Sequence, residues 1–189
     1  LSKKNNQQKL LMKILNTKFK DVKIIKYNKF LDSRGDLKVT YNKKIISWVN
    51  LVFDYTTVSK KNVVRGFHFQ WKQQQDKLIS VVKGKILDCI IDLRKNSKTF
   101  GKQYSVILSE KNCKSLFIPK GFAHACYTLG DINVINCKQS NYYNPKYEGG
   151  IIWNDKKLNI KWPGKKPIIS TKDKKQKNFQ KFLEEYKYL

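Results

Sequence analysis

Only two histidines occur in the 189 residues, and each sits in an apolar run: Arg65-Gly66-Phe67-His68-Phe69-Gln70 and Gly121-Phe122-Ala123-His124. Imidazole titrates near neutral pH, so it suits the removal and return of a proton. That work needs an orienting carboxylate and a cation or hydrogen-bond donor for a developing oxyanion. A barrel-type metal centre instead asks for two or three histidines with a carboxylate. Neither histidine has a close second ligand, so no metal is expected. A hydrogen-bonded histidine inside a barrel is the structural alternative, and the residues alone leave it open. On an extended chain His68 shares its face with Gly66 and Gln70, while Phe67, Phe69 and Trp71 take the other.

These side chains need strands to hold them. From 18 to 137 the sequence consists of short apolar or alternating runs broken by turn residues, the pattern of an all-β sandwich or barrel. Residues 76–82 and 85–93 are two such runs, and Lys83-Gly84 between them reads as a hairpin turn that pairs them antiparallel. The stretch 115–129 bends at Pro119-Lys120-Gly121, and in its second half Phe122, His124, Cys126 and Thr128 share one face. A further strand is expected within 134–145, ending near Asn144-Pro145. A loop-like segment follows, anchored by Trp153 and Trp162. Phe179, Phe182, Leu183 and Tyr186 recur at helical spacing, so an amphipathic helix capped by Ser170 or Thr171 closes the chain and docks on the β domain.

Composition narrows the class. A hydrophobic fraction of 40% with 13% aromatic residues belongs to a folded chain, and the length suits one domain. No run is long and apolar enough for a membrane span or a signal core, which makes the cytoplasm the default location. Cys89, Cys113, Cys126 and Cys137 are widely spaced without a C-x-x-C pair and read as reduced thiols. The net charge of +26 would attract polyanions. Its lysines are spread along the chain without an arginine-rich helix, so nucleic-acid binding is a minor alternative. Met12, the sole methionine, is taken as the natural start; residues 1–11 are read as a disordered extension and 12–189 as a single domain.

The runs KKNVVRGFHFQ, DKLISVVKGKILDCIIDLRKNSKTFGKQYSVILSEKNCKSLFIPKGFAHACYTL and NYYNPKYEGGIIWNDKKLNIKWP together resemble the dTDP-4-dehydrorhamnose 3,5-epimerase family, from about Met12 to Asp173. The resemblance implies a mainly β, double-stranded β-helix of the cupin jelly-roll type with a C-terminal α-helix. It also implies a homodimer that works without metal or cofactor on a nucleotide-diphosphate sugar. His68 falls on the family's general base, Asp173 on the carboxylate paired with it, and Lys77 on the lysine near the 4-keto oxygen. Substrate contacts fall on Arg34, Arg65, Gln70, His124, Phe30 and Lys138.

Three departures stand out. The family's reprotonating tyrosine is replaced by Cys137, so that either Cys137 or nearby Tyr143 is expected to return the proton. The usual R-G-x-F-x-E reads Arg34-Gly35-Asp36-Leu37-Lys38-Val39, and the usual Q-D-N reads Phe53-Asp54-Tyr55. Lost amide and carboxylate groups relax the selection of base and sugar, which admits GDP-linked hexose or heptose beside dTDP-hexose. The expectation is an isomerase inverting C3, with C5 open, of a nucleotide-linked 4-keto-6-deoxy sugar for surface polysaccharide. The rival is a non-catalytic sugar-nucleotide-binding cupin. A related ketoisomerase would carry a second histidine beside the first, where Phe69 and Gln70 stand.

Overall fold

The computed structural model describes residues 12–186 and Leu189. The expected extension at 1–11 lies outside the described residues. The strands are β1 (Met12–Asn16), β2 (Lys23–Tyr27), β3 (Lys29–Asp32), β4 (Gly35–Lys38), β5 (Phe53–Lys60), β6 (Val63–Gln70) and β7 (Lys77–Lys83). They continue with β8 (Lys85–Asp92), β9 (Gln103–Ser109), β10 (Lys114–Ile118), β11 (Phe122–Thr128), β12 (Ile132–Gln139), β13 (Glu148–Gly150) and β14 (Ile168–Ile169). A 3₁₀ turn spans Pro145–Tyr147, and two helices, α1 (Thr171–Lys174) and α2 (Phe179–Tyr186), end the chain.

Two sheets face each other, ordered β1-β2-β10-β7-β12-β5 and β13-β6-β11-β8-β9, with β14 alongside β6. Period-2 alternation builds the layers. Ile79 and Val81 of β7 meet Ile86 and Ile90 of β8, Phe122 and Cys126 of β11, and Ile135 and Cys137 of β12 in the space between the sheets. The alternate residues Phe67, Phe69, Cys89, Ile91, Ala123 and Ala125 turn outward, where Phe179 and Phe182 of α2 cover them. Each such ring withdrawn from water contributes roughly 1.5–3 kcal/mol. The outer face of the first sheet buries Leu78 and Phe117 against Ile46 and Val49. This is the expected jelly roll with its terminal helix.

Three expectations need correcting. β7 and β8 do not pair as a hairpin: β7 lies between β10 and β12, whereas β8 lies between β11 and β9. Gly84 carries the chain around the corner from one sheet to the other. Its φ is +87°, and a Cβ there would stand 2.3 Å from the Ile132 carbonyl oxygen. A lysine-glycine turn serves a corner as well as a hairpin, and both flanking runs are apolar either way. β10 and β11 likewise change sheets across Pro119-Lys120-Gly121.

The terminal helix is also not continuous from Thr171. Ser170 caps α1, its Oγ accepting the Asp173 N–H at 3.0 Å. The chain then stretches out so that the Lys177 carbonyl accepts from Ile152 N–H at 2.8 Å. Asp155 restarts the helix by accepting the Phe179 N–H at 2.7 Å. The strand expected within 134–145 ends at Gln139. Trp162 is an anchor, stacked on Tyr127 with its indole N–H donated to the Trp153 carbonyl at 2.8 Å.

Candidate active site

Between the sheets opens a cavity of about 590 Å³. One wall belongs to β6 and β11, which place His68 and His124 directly opposite each other in the ladder. Gly66 makes the close approach possible: its φ is +114°, and a Cβ there would lie 2.4 Å from the His124 carbonyl oxygen. The other wall belongs to β5, β7 and β12 and presents Tyr55, Lys77 and Cys137.

His68 holds its Nε2 at 2.6 Å from Asp173 Oδ1, while Asp173 Oδ2 accepts the Gly66 N–H at 3.3 Å. The capped turn α1 thus presents a buried carboxylate edge-on to β6. Burial alone would raise the Asp173 pKa, but the hydrogen bond and charge of His68, with help from Gly66 and Ser170, hold it below the usual carboxylate range. An ionised Asp173 keeps the proton on Nε2 and leaves the lone pair on Nδ1.

Lys77 faces that pair from the opposite wall. It is only 7% exposed, and no hydrogen bond or ion pair holds its ammonium among the described residues. Burial pushes its pKa down, against the longer-range pull of Cys137, Glu148 and Asp88. A buried, unpaired ammonium lining a cavity is costly unless an anion or a polarised oxygen meets it there.

The remaining expected residues divide. His124 lines the cavity with Nε2 at 3.0 Å from both oxygens of Asp88. Arg65 lies at the rim, donating to Ser59 Oγ at 2.9 Å. Gln70 is buried at the wall and shapes a loop, donating to the Gln73 carbonyl at 2.8 Å and accepting the Asn144 N–H at 2.7 Å. Cys137 is 3% exposed, its sulfur in contact with Gln139, and burial pushes the thiol pKa up. Tyr143 donates to Glu148 Oε2 at 2.7 Å, a carboxylate also bound by Lys172.

Three expected contacts are not brought to this cavity. Lys138 points to the outer face of β12, paired with Asp54 and 5.9 Å from the Tyr41 ring. Alternation requires this, since adjacent Cys137 takes the inner face. Phe30 and Arg34 belong to the separate β3–β4 hairpin, where Arg34 grips Asp32 at 2.6 Å. Conversely, Asp88, Tyr55 and Glu148 line or support the site without having been singled out for chemistry. Asp88 did carry a signal, being a carboxylate on the same inward face of β8 as Ile86 and Ile90.

The fold is a double-stranded β-helix whose cavity sets a carboxylate-paired histidine across from a buried lysine. A model of the dTDP-4-dehydrorhamnose 3,5-epimerase family matches residues 16–181, and the chain belongs to that family. The dTDP-4-dehydrorhamnose 3,5-epimerase of Shigella flexneri is 38% identical over 92% of this chain and 97% of its own. The enzyme of that name from Bacillus anthracis str. Ames, solved with TDP and PPi bound, superposes with a TM-score of 0.85 at 39% identity, covering 89% of this chain and 99% of that one. The dTDP-6-deoxy-D-glucose-3,5-epimerase of Legionella pneumophila Philadelphia 1, in complex with dTDP-4-keto-L-rhamnose, gives a TM-score of 0.85 at 36% identity, covering 89% and 93%. Among the described residues no helix is long and apolar enough to cross a membrane.

Proposed function

We propose that this chain epimerises a dTDP-linked 4-keto-6-deoxy hexose at the carbons flanking its ketone, in the synthesis of surface polysaccharide. The observation that carries the reading is the carboxylate-held His68 facing the unpaired Lys77 across one cavity. His68 Nδ1 takes the proton from C3, the C–H electron pair moves into the C3–C4 bond, and negative charge gathers on O4. Lys77 stabilises that oxyanion, and Asp173 stabilises the imidazolium. A proton then arrives on the opposite face. C5, the other carbon made acidic by the ketone, undergoes the same exchange. Arg65 at the rim suits a phosphate of the nucleotide.

Proton NMR of the dTDP- and GDP-linked 4-keto-6-deoxy sugars in heavy water tests this. Deuterium enters C3 and C5 of the dTDP sugar; entry at C3 alone restricts the reaction to one inversion, and entry with no substrate refutes it. Binding without exchange would favour a non-catalytic sugar-nucleotide-binding cupin.

The homodimer is part of the same proposal. Leu31 and Leu37 of the β3–β4 hairpin are 74% and 60% exposed, beside Phe30. A second copy covering this hairpin would bring Phe30 and Arg34 to a substrate. Light scattering should return twice the chain mass, and Arg34→Ala should raise KM more than it lowers kcat.

A further inference from the structure

We infer that Tyr55 is the acid that returns the proton, acting from the strand beside Cys137. The inference rests on the epimerase reading above and concerns only its second half. Inversion requires a donor on the wall opposite His68. Among the described residues, that wall carries two side chains with an ionisable O–H or S–H, Tyr55 and Cys137. Tyr143 does not qualify: it is bound to Glu148 of β13, which pairs with β6, so it stands on the side of the base.

Tyr55 and Cys137 are direct partners in the β5–β12 ladder. Opposed side chains share a face with Cβ atoms roughly 4.5–5.5 Å apart. The resemblance puts a tyrosine at position 137. Here the phenol stands one strand sideways, at the position directly opposite. The thiol is the poorer donor, being 3% exposed and in contact with Gln139. Tyr55 lines the cavity beside that thiol, and the residue remains 39% exposed. Burial raises the phenol pKa further, which keeps its proton in place at neutral pH. Carbon of an enolate is a much stronger base than phenolate, so transfer remains downhill.

The step balances. The enolate electron pair forms the new C–H bond on the face opposite His68 while the Tyr55 O–H bond breaks. The phenolate then takes a proton from water, and the His68 imidazolium releases one. Cys137 does no proton chemistry; its small side chain leaves room for the phenol.

The test separates removal of the proton from its return. With dTDP-4-keto-6-deoxyglucose in heavy water, His68 can exchange the C3 proton on one face without inversion. Tyr55→Phe should lower epimerised product at least about a hundredfold, the scale of a lost general acid. Its C3 exchange should persist, and persistence also reports a folded site. Cys137→Ser should leave both within a fewfold. Tyr55→Phe combined with Cys137→Tyr should recover product by moving the phenol back across the ladder. Unimpaired product from Tyr55→Phe overturns the inference and leaves the epimerase reading intact. Loss of exchange together with product also overturns it, because Tyr55 would then serve removal. Undiminished exchange in His68→Asn would strike the epimerase mechanism itself.

Discussion

Two histidine–aspartate pairs stand side by side at the cavity wall, and they are not equivalent. His68 meets one oxygen of Asp173 at 2.6 Å, whereas His124 lies 3.0 Å from both oxygens of Asp88. Asp88 sits on β8, the ladder neighbour of β11, so its pair is braced within one sheet. Asp173 comes from the one-turn helix α1, more than a hundred residues along the chain from His68. The His68 side chain is 31% exposed and that of His124 is 15%. The same two side-chain types thus yield an accessible imidazole with a directed lone pair and a more enclosed one fixed for contact. On the proposed mechanism, the tether and not the residue type separates the base from a positioning group.

Substitutions should break this contrast unequally. His68→Asn should abolish deuterium entry at C3, a loss of about 10⁴-fold at the upper end for a general base. Lys77→Met keeps the base but removes the oxyanion partner. It should cost about 10²–10³ in kcat, read by product formation, with binding of dTDP by calorimetry little changed. Asp88→Asn should act chiefly on KM, by about tenfold or about 1.4 kcal/mol of binding, because His124 loses its orientation but not its place. If Asp88→Asn instead matched His68→Asn in exchange, the assigned roles of the two pairs would be wrong.

Acidification is the gentlest probe. The folded pKa of Asp173 lies below its unfolded value of 3.8, so its contribution to stability is present above that value and is lost as pH falls through the folded pKa. Urea unfolding at pH 7 and at pH 3 should show a decline whose slope is at most about 1.4 kcal/mol per pH unit from this group. Asp173→Asn should flatten that part of the decline.

Much of the molecule was legible beforehand. Alternation in β11 placed Phe122, His124 and Cys126 on one face, and all three point between the sheets. The spacing of Phe179, Phe182, Leu183 and Tyr186 marked a helix, and Phe179 and Phe182 are its buried residues. The same alternation could have ruled Lys138 out of the cavity once Cys137 was placed within it. Asp88 was legible as an inward carboxylate, but its partner could not be named without the β8–β11 register.

The amino-acid order by itself determined the β class, the inward face of each strand and the terminal helix, because these follow from periodicity between near neighbours. It also carried the ordered blocks on which family membership rests. Only the tertiary structure decided that β7 and β8 part at Gly84 into different sheets. The resemblance had paired His68 with Asp173; the tertiary structure gave that pair its geometry, left Lys77 across from it without a hydrogen-bonding or ionic partner among the described residues, and put the Tyr55 side chain opposite Cys137. Those are contacts between distant segments, chosen by which sheet each strand enters and by register, and a local pattern that fits a hairpin and a corner equally well cannot choose between them.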